Sequence, residues 1–387
     1  MLPGDELGSV RGALARMQQV ATDESLISLA EGLPGADRVG ARHINHCAHE
    51  HHYQRVGPVT GGRRGPGVVA AETVRTVRSG ADRQVGAQVG AQVGDGGGID
   101  HDALLDWYAA AARDLPWRRP GVTAWQILMS EIMLQQTPVA RVQPIWLEWV
   151  RRWPVPSAMA ASSQAEVLRA WGKLGYPRRA LRLHECAGVL AAEHGDEVPA
   201  DVDVLLGLPG IGAYTARAVA CFAYGIRVPV VDTNVRRVVA RAVHGRAEAG
   251  NPSARDLAET EALLPAQVEP AARFSAALME LGATVCTARN PDCGRCPLPR
   301  CAWVSAGRPA SEVVRRTQKY EGTDRQARGR LLDVLRAASG PVERVRLDLA
   351  WTRDPGQRDR ALDSLLVDGL IEQTADGLFA LAGEGER

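Results

Sequence analysis

The chain has 387 residues, which at roughly 150 residues per domain allows two or three domains and excludes a disulfide-stapled miniature. Lys plus Arg number 46 and Asp plus Glu 45, so a net charge of +1 excludes a globally basic polyanion binder and confines any nucleic-acid contact to local patches. No run of about 18 apolar residues occurs and the start lacks a basic stretch followed by an apolar one, a pattern that predicts neither a membrane span nor a secretory signal and points to a cytoplasmic protein.

In chain order, residues 1–98 read as a non-globular extension, disordered or translated from a start codon placed too early. From Pro34 to Ala103 there is no Leu, Phe, Trp or Met, while Gly, Val and Arg recur in repeats such as GAQVGAQVGDGGG. Such a segment has too little apolar surface to offset the entropy of ordering. His43, His46, His49, His51 and His52 are of ligand type, but nothing around them fixes a metal geometry.

A helical pattern begins at Ile99, where Asp100 or Asp102 can cap and Leu104, Leu105, Trp107, Tyr108 and Ala111 return at helical spacing. Similar segments continue to about residue 285, broken at Pro116, Pro154 to Pro156, Gly175 to Pro177, Pro209 to Gly212 and Pro229. Alternating strand patterns are scarce there, so the core is predicted to be all-α. Trp146, Trp149, Trp153 and Trp171 stand beside Leu147, Val150 and Leu168 and read as helix–helix core rather than a base-stacking platform. Cys186 and Cys221 lie on apolar helical faces and read as inert core thiols.

Four stretches have the residue types for chemistry. Glu131 sits among Ile127, Leu128, Ile132 and Leu134, where desolvation would raise its pKa and make it a usable general acid; an exposed Glu beside an apolar stripe is the plainer reading. Leu208-Pro209-Gly210-Ile211-Gly212 places a Gly-x-Gly turn before a helix, whose free N–H groups suit a phosphate or serve as a bland connection. Asp232, after the extended Val228-Pro229-Val230-Val231 and before a helix, is an N-cap or the second carboxylate of a glycosidic-bond site. Cys286, Cys293, Cys296 and Cys301, spaced C-x6-C-x2-C-x4-C, suit an iron–sulfur cluster or tetrahedral zinc.

Taken together, LPGIGAYTA, VPVVDTNVRRV and CTARNPDCGRCPLPRC, in that order, resemble the helix-hairpin-helix DNA glycosylase superfamily. LPWR (Leu115 to Arg118), SEIMLQQTPV and KLGYP (Lys173 to Pro177) are similar to the MutY-type adenine DNA glycosylases in particular, over about residues 99 to 304. The resemblance implies double-stranded DNA with a mispaired adenine as partner, a flipped adenine taken from opposite 8-oxoguanine or guanine, and hydrolysis of its bond to deoxyribose. On it, Glu131 is the acid that protonates the adenine ring, Asp232 stabilises the cationic sugar, and Tyr214 and Asn234 stand beside them. Gln136 and Tyr176 match residues inserted into the base stack, Gly210 and Gly212 hold a phosphate, and Arg178, Arg179, Arg236 and Arg237 are further phosphate contacts. The cysteines hold a 4Fe-4S cluster in preference to zinc, although relatives usually have five residues rather than four in the last interval.

A related endonuclease III type carries a Schiff-base lysine where Tyr214 stands, so a monofunctional glycosylase that leaves an abasic site and acts as a monomer is expected. The alternatives are an endonuclease III-like activity on oxidised pyrimidines and a non-catalytic DNA-binding module. The expected architecture is a helical barrel (122–228), an iron–sulfur lobe formed by 99–121 and 229–304, a basic linker (305–323) and a small winged-helix-like domain (324–387). That last domain is read from a helix opening at Asp324, two short helices and a hairpin around Ala375-Asp376-Gly377; it stands where many family members have a Nudix-like domain, and fits a DNA reader or a packing module. Ala276 replaces a polar side chain that relatives place near the adenine.

Overall fold

The computed structural model describes residues 99–311 and 320–385; the readings of residues 1–98 and of the middle of the basic linker lie outside the described residues. The first helix, α1 (His101–Ala111), begins where Asp100 caps the Ala103 N–H. The helix ends at Ala111, and Pro116 then opens a short turn (Pro116–Arg118) in which Leu115 and Trp117 leave the lobe they were expected to join and pack into the barrel. The Trp117 ring meets the Trp146 ring edge-on at 5.8 Å between centroids.

The barrel is built from α2 (Ala124–Leu134), α3 (Val139–Arg152), α4 (Pro156–Ala160), α5 (Gln164–Trp171), α6 (Arg178–Glu193), α7 (Val202–Gly207) and α8 (Ala213–Tyr224). Capping boxes at Thr123/Gln126 and Ser163/Glu166 set the starts of α2 and α5. Its core holds Leu128, Met129, Met133, Trp149, Trp153, Leu168, Trp171 and Leu183. The tryptophan rings meet edge-on, Trp149 with Trp153 at 4.7 Å and with Trp171 at 5.4 Å, and their N–H groups donate inside the protein, to Trp153 O, Gln126 O, Ala170 O, Ser162 Oγ and Gly175 O from Trp125, 146, 149, 153 and 171. Cys186 and Cys221 are buried, and burial raises their thiols to about 12 and about 11.

A second core joins α1, α9 (Thr233–Ala242), α10 (Ala254–Leu263) and α11 (Val268–Thr284) through Leu104, Val235, Val238, Phe274, Leu278 and Leu281, and the cysteine loop leads from it into α12 (Ala302–Ser305). Beyond the linker come α13 (Asp324–Ala337), α14 (Arg344–Ala350), α15 (Pro355–Val367) and an antiparallel hairpin of β1 (Ile371–Gln373) with β2 (Phe379–Leu381), in register Glu372 to Ala380. This three-helix, one-hairpin unit has no separate core: Leu331, Leu332, Leu335, Leu365 and Leu381 belong to the same buried cluster as the barrel residues. Arg336 Nε donates to Leu168 O (3.1 Å), Arg169 Nη2 donates to Ala338 O (2.9 Å), and Arg169 pairs with Glu384.

Candidate active site

Two chain segments far apart in sequence meet where α2 touches α8. Glu131, on α2, is 7 % exposed, and the Tyr214 hydroxyl at the start of α8 donates to its Oε2 at 3.0 Å. Gln135 Nε2, one turn on from Glu131, donates to Thr215 Oγ1 at 3.3 Å and ties the same two helices. Burial pushes the Glu131 carboxyl up to about 7; the Tyr214 bond pulls it down, the negative charge of Asp232 pushes it up further, and the Arg118 cation lowers it. The Tyr214 phenol is driven well above its usual value by burial and by Glu131 and Asp232 beside it.

Asp232 is the N-cap of α9. Its Oδ1 accepts from the Val235 N–H at 2.7 Å and its Oδ2 from Asn234 Nδ2 at 2.7 Å. Burial raises its pKa, against those two bonds and the Arg237 cation. The cap reading holds, the cap bonds aim the carboxylate, and its negative charge acts on Glu131.

Several parts of this site give no signal in the sequence read alone. Glu280, on α11, is fully buried; Arg113 Nε and Nη2 donate to its two oxygens at 2.6 and 2.9 Å. The Arg118 Nη1 lies 2.9 Å from Glu280 Oε2 but off the hydrogen-bond direction, which leaves a buried donor without an aligned partner beside Glu131. Ala276, expected to lack a polar group, lies one turn before Glu280 on the same side of α11, so Glu280 supplies polarity to that face. Gly282 is the other silent residue: a Cβ there would sit 2.7 Å from Asn234 Cβ and 2.8 Å from Asn234 O, so only glycine lets α11 approach the start of α9.

Gln136 and Tyr176 are exposed at loop tips and both have left-handed backbones, φ 55° and 49°. One guanidinium holds both loops. Arg179 Nη1 donates to Ile132 O (2.7 Å) and Gln135 O (2.6 Å), Nη2 donates to Thr137 Oγ1 (3.0 Å) and Gly175 O (3.0 Å), and the cation lies 5.5 Å from the Tyr176 ring centre. Arg179 is therefore internal to the fold and not a free phosphate contact. Arg236 and Arg237 are likewise held inside the fold, whereas Arg178 stays at the surface. Arg236 pairs with Asp256 (3.1 Å), its side chain 9 % exposed; Arg237 donates to Cys286 O (2.7 Å), Gly282 O (2.6 Å) and Asn234 Oδ1 (2.7 Å); Arg178, though exposed, pairs with Asp368 (3.2 Å). Guanidiniums in this arginine-rich chain satisfy carbonyl groups at loop ends, which spacing alone does not disclose.

The hairpin joins α7 to α8. Gly210 has φ +76° and a Cβ on it would lie 2.7 Å from Arg182 Cβ, whereas Gly212 caps α8 and is exposed. Beside it a groove of about 220 Å³ runs between Gln135, Arg182 and Pro209 to Ile211.

The four cysteines fit an iron–sulfur cluster. Cys286 Sγ accepts from Arg241 Nη1 at 3.5 Å and Cys301 Sγ donates to Arg241 O at 3.7 Å, so both sulfurs converge on one buried arginine. Burial raises Cys296 to about 11, and Cys286, Cys301 and Cys293 all act on it electrostatically. Arg241 and Arg237 oppose the rise at Cys286, as cations would that offset thiolate charge. Cys301, at the start of α12 after the short last interval, acts electrostatically on Cys286 and Cys296.

The residues match two family models: HhH-GPD superfamily base excision DNA repair protein over residues 129–260, and iron-sulfur binding domain of endonuclease III over 286–298, a stretch that holds three of the four cysteines. Over 283 residues the chain is 72 % identical to an adenine DNA glycosylase of Mycolicibacterium smegmatis, covering 73 % of this chain and 96 % of the relative. The chain belongs to the adenine DNA glycosylase family. A Mycobacterium tuberculosis member is 69 % identical over 289 residues (74 % of this chain, 95 % of the relative), and the human adenine DNA glycosylase 41 % over 207 residues (51 % and 37 %). The glycosylase family model spans Glu131, Tyr214 and Asp232, and the second Cys286, Cys293 and Cys296. Among the described residues no helix is long and apolar enough to cross a membrane.

Proposed function

We propose that the chain is a monofunctional DNA glycosylase that removes adenine mispaired with 8-oxoguanine or guanine from double-stranded DNA and leaves an abasic site. The observation that carries the reading is the Tyr214–Glu131 bond at 3.0 Å, with the carboxyl held near 7 and Asp232 acting on it. A carboxyl at that value is protonated often enough at neutral pH to give its proton to an adenine ring nitrogen, and the glycosidic electron pair then leaves with the neutral base. Asp232, aimed by Asn234 and Val235, offsets the positive charge that develops on the sugar. Glu131, now a carboxylate, takes a proton from the water whose oxygen bonds to the sugar carbon, which restores the starting state. Arg118, with its unaligned Nη1 beside Glu131, supplies a donor to the flipped base.

Gln136 and Tyr176 act as a wedge in the base stack, and Gly210 and Gly212 bring backbone to a phosphate. The cluster shapes its DNA-facing loop when bound, held by Cys286, Cys293, Cys296 and Cys301. Lyase action needs an amine near the sugar; Tyr214 occupies that place, and Lys173 is exposed beside Asp333. The enzyme works as a monomer in the cytoplasm, on the nucleoid.

The test is base release from a labelled duplex with adenine opposite 8-oxoguanine, half of each sample treated with hot alkali. Strand breaks only after alkali are expected, and none from Glu131→Gln. Breaks without alkali would support a lyase, and tight binding without release a DNA-binding module.

A further inference from the structure

The C-terminal unit meets the barrel at the loop that carries Tyr176. Along one side of α13, at helical spacing, stand Arg325, Arg328, Leu332 and Arg336. Arg336 donates to Leu168 O, Arg328 pairs with Asp368 at the end of α15, and Asp368 also accepts from Arg178 at the start of α6. Arg336 holds the last turn of α13 to the barrel, the Asp368 pairs hold its first turns near the start of α6, and the Arg325 guanidinium rests 5.8 Å from the Tyr176 ring centre. On the far side of that ring's loop Arg179 is consumed by carbonyl groups. Arg325 is not: it is exposed and has no carboxylate partner among the described residues.

The unit as a whole offers DNA little. Residues 324–385 hold nine arginines against eleven acidic residues, and Arg344, Arg353, Arg358 and Arg360 all stand within reach of carboxylates. A general attraction to the duplex is therefore absent from its composition, whereas Arg325, beside the wedge residue, is an exposed cation with no carboxylate partner among the described residues. We infer that Arg325 is a DNA contact, gripping a pair of acceptor atoms on the nucleotide opposite the excised adenine and making the C-terminal unit part of the recognition surface. The inference rests on the reading of Tyr176 as a wedge. A guanidinium fork fits two phosphate oxygens or the O6/N7 edge of a purine, and the two sources give different results below.

The experiment uses the full chain in a Glu131→Gln background, with affinity read by fluorescence anisotropy over a range of salt. One duplex carries adenine opposite guanine, the other adenine opposite an abasic analogue. Arg325→Ala is expected to weaken binding about tenfold while Arg346→Ala, an exposed arginine elsewhere in the unit, leaves it unchanged. Equal loss on both duplexes, with a salt slope smaller by about one and rescue by Arg325→Lys, assigns the phosphate. Loss confined to the guanine duplex, without rescue by lysine, assigns the base edge. Arg325→Ala indistinguishable from Arg346→Ala on both duplexes overturns the inference. If Tyr176→Ala still weakens binding in that case, the wedge survives; if Tyr176→Ala binds as tightly as its parent, the wedge reading itself fails.

Discussion

Glu131 combines a task and a cost. Its carboxyl is raised to about 7 in the folded protein from an ordinary value of 4.5, so between those values the native state holds a proton that the unfolded chain has released. Stability therefore falls as pH rises through that window, and above about 7 the folded protein carries a buried negative charge. The acid needed for base release is lost over the same range, so single-turnover excision is expected to decline as pH rises past 7, with Glu131→Gln inactive throughout. The same substitution removes the buried charge. In thermal melts Glu131→Gln is expected to exceed the parent in Tm at pH 8 and to match it near pH 5; an equal Tm at both would show that Glu131 is not desolvated as described.

Elements meet at this site only because particular residues let them. Gly282 allows α11 to press on the start of α9, where Asn234 aims Asp232. Gly282→Ala is expected to cost about 1–3 kcal/mol in denaturant unfolding and to lower excision more than DNA affinity, because the overpacked methyl displaces Asn234 rather than a DNA contact. Glu131 and Asp232 were legible as candidates, one a carboxylate in an apolar run and the other an acid at the entry to a helix, but only the resemblance of the surrounding motifs set them apart from an exposed Glu and an ordinary N-cap. The four cysteines were legible by spacing, and the tryptophans as core by their helical neighbours. Gly282, Glu280 and the partners of Arg236, Arg237 and Arg179 were not, since each depends on segments that meet only after folding. The arginines misled for the same reason: a cation beside a motif looks like a phosphate ligand until the carbonyls that claim it are in place.

At the scale of the whole molecule, the barrel and the C-terminal unit share one buried cluster and form one region without the independent cores that separate domains would have, while α1 and α9 to α11 keep a core of their own. Calorimetry of the full chain is expected to give one transition for this region, and a chain ended at residue 311 is expected to lose cooperativity, since Leu168 O and Arg169 would lose their partners in α13 and beyond. Two resolved calorimetric peaks would contradict this. The proposed wedge, Gln136 with Tyr176, would have a consequence for such a unit. Left-handed backbones at Gln136 and Tyr176 cost about 1–3 kcal/mol each, and Arg179 holds that strain in place during folding, before any DNA arrives. A probe built in advance has no loop to order at each base step, and an undamaged step charges it only the unstacking. On the proposed wedge reading, that rigidity removes an ordering cost from every contact with the duplex, so it serves tightness of grip as well as speed of search.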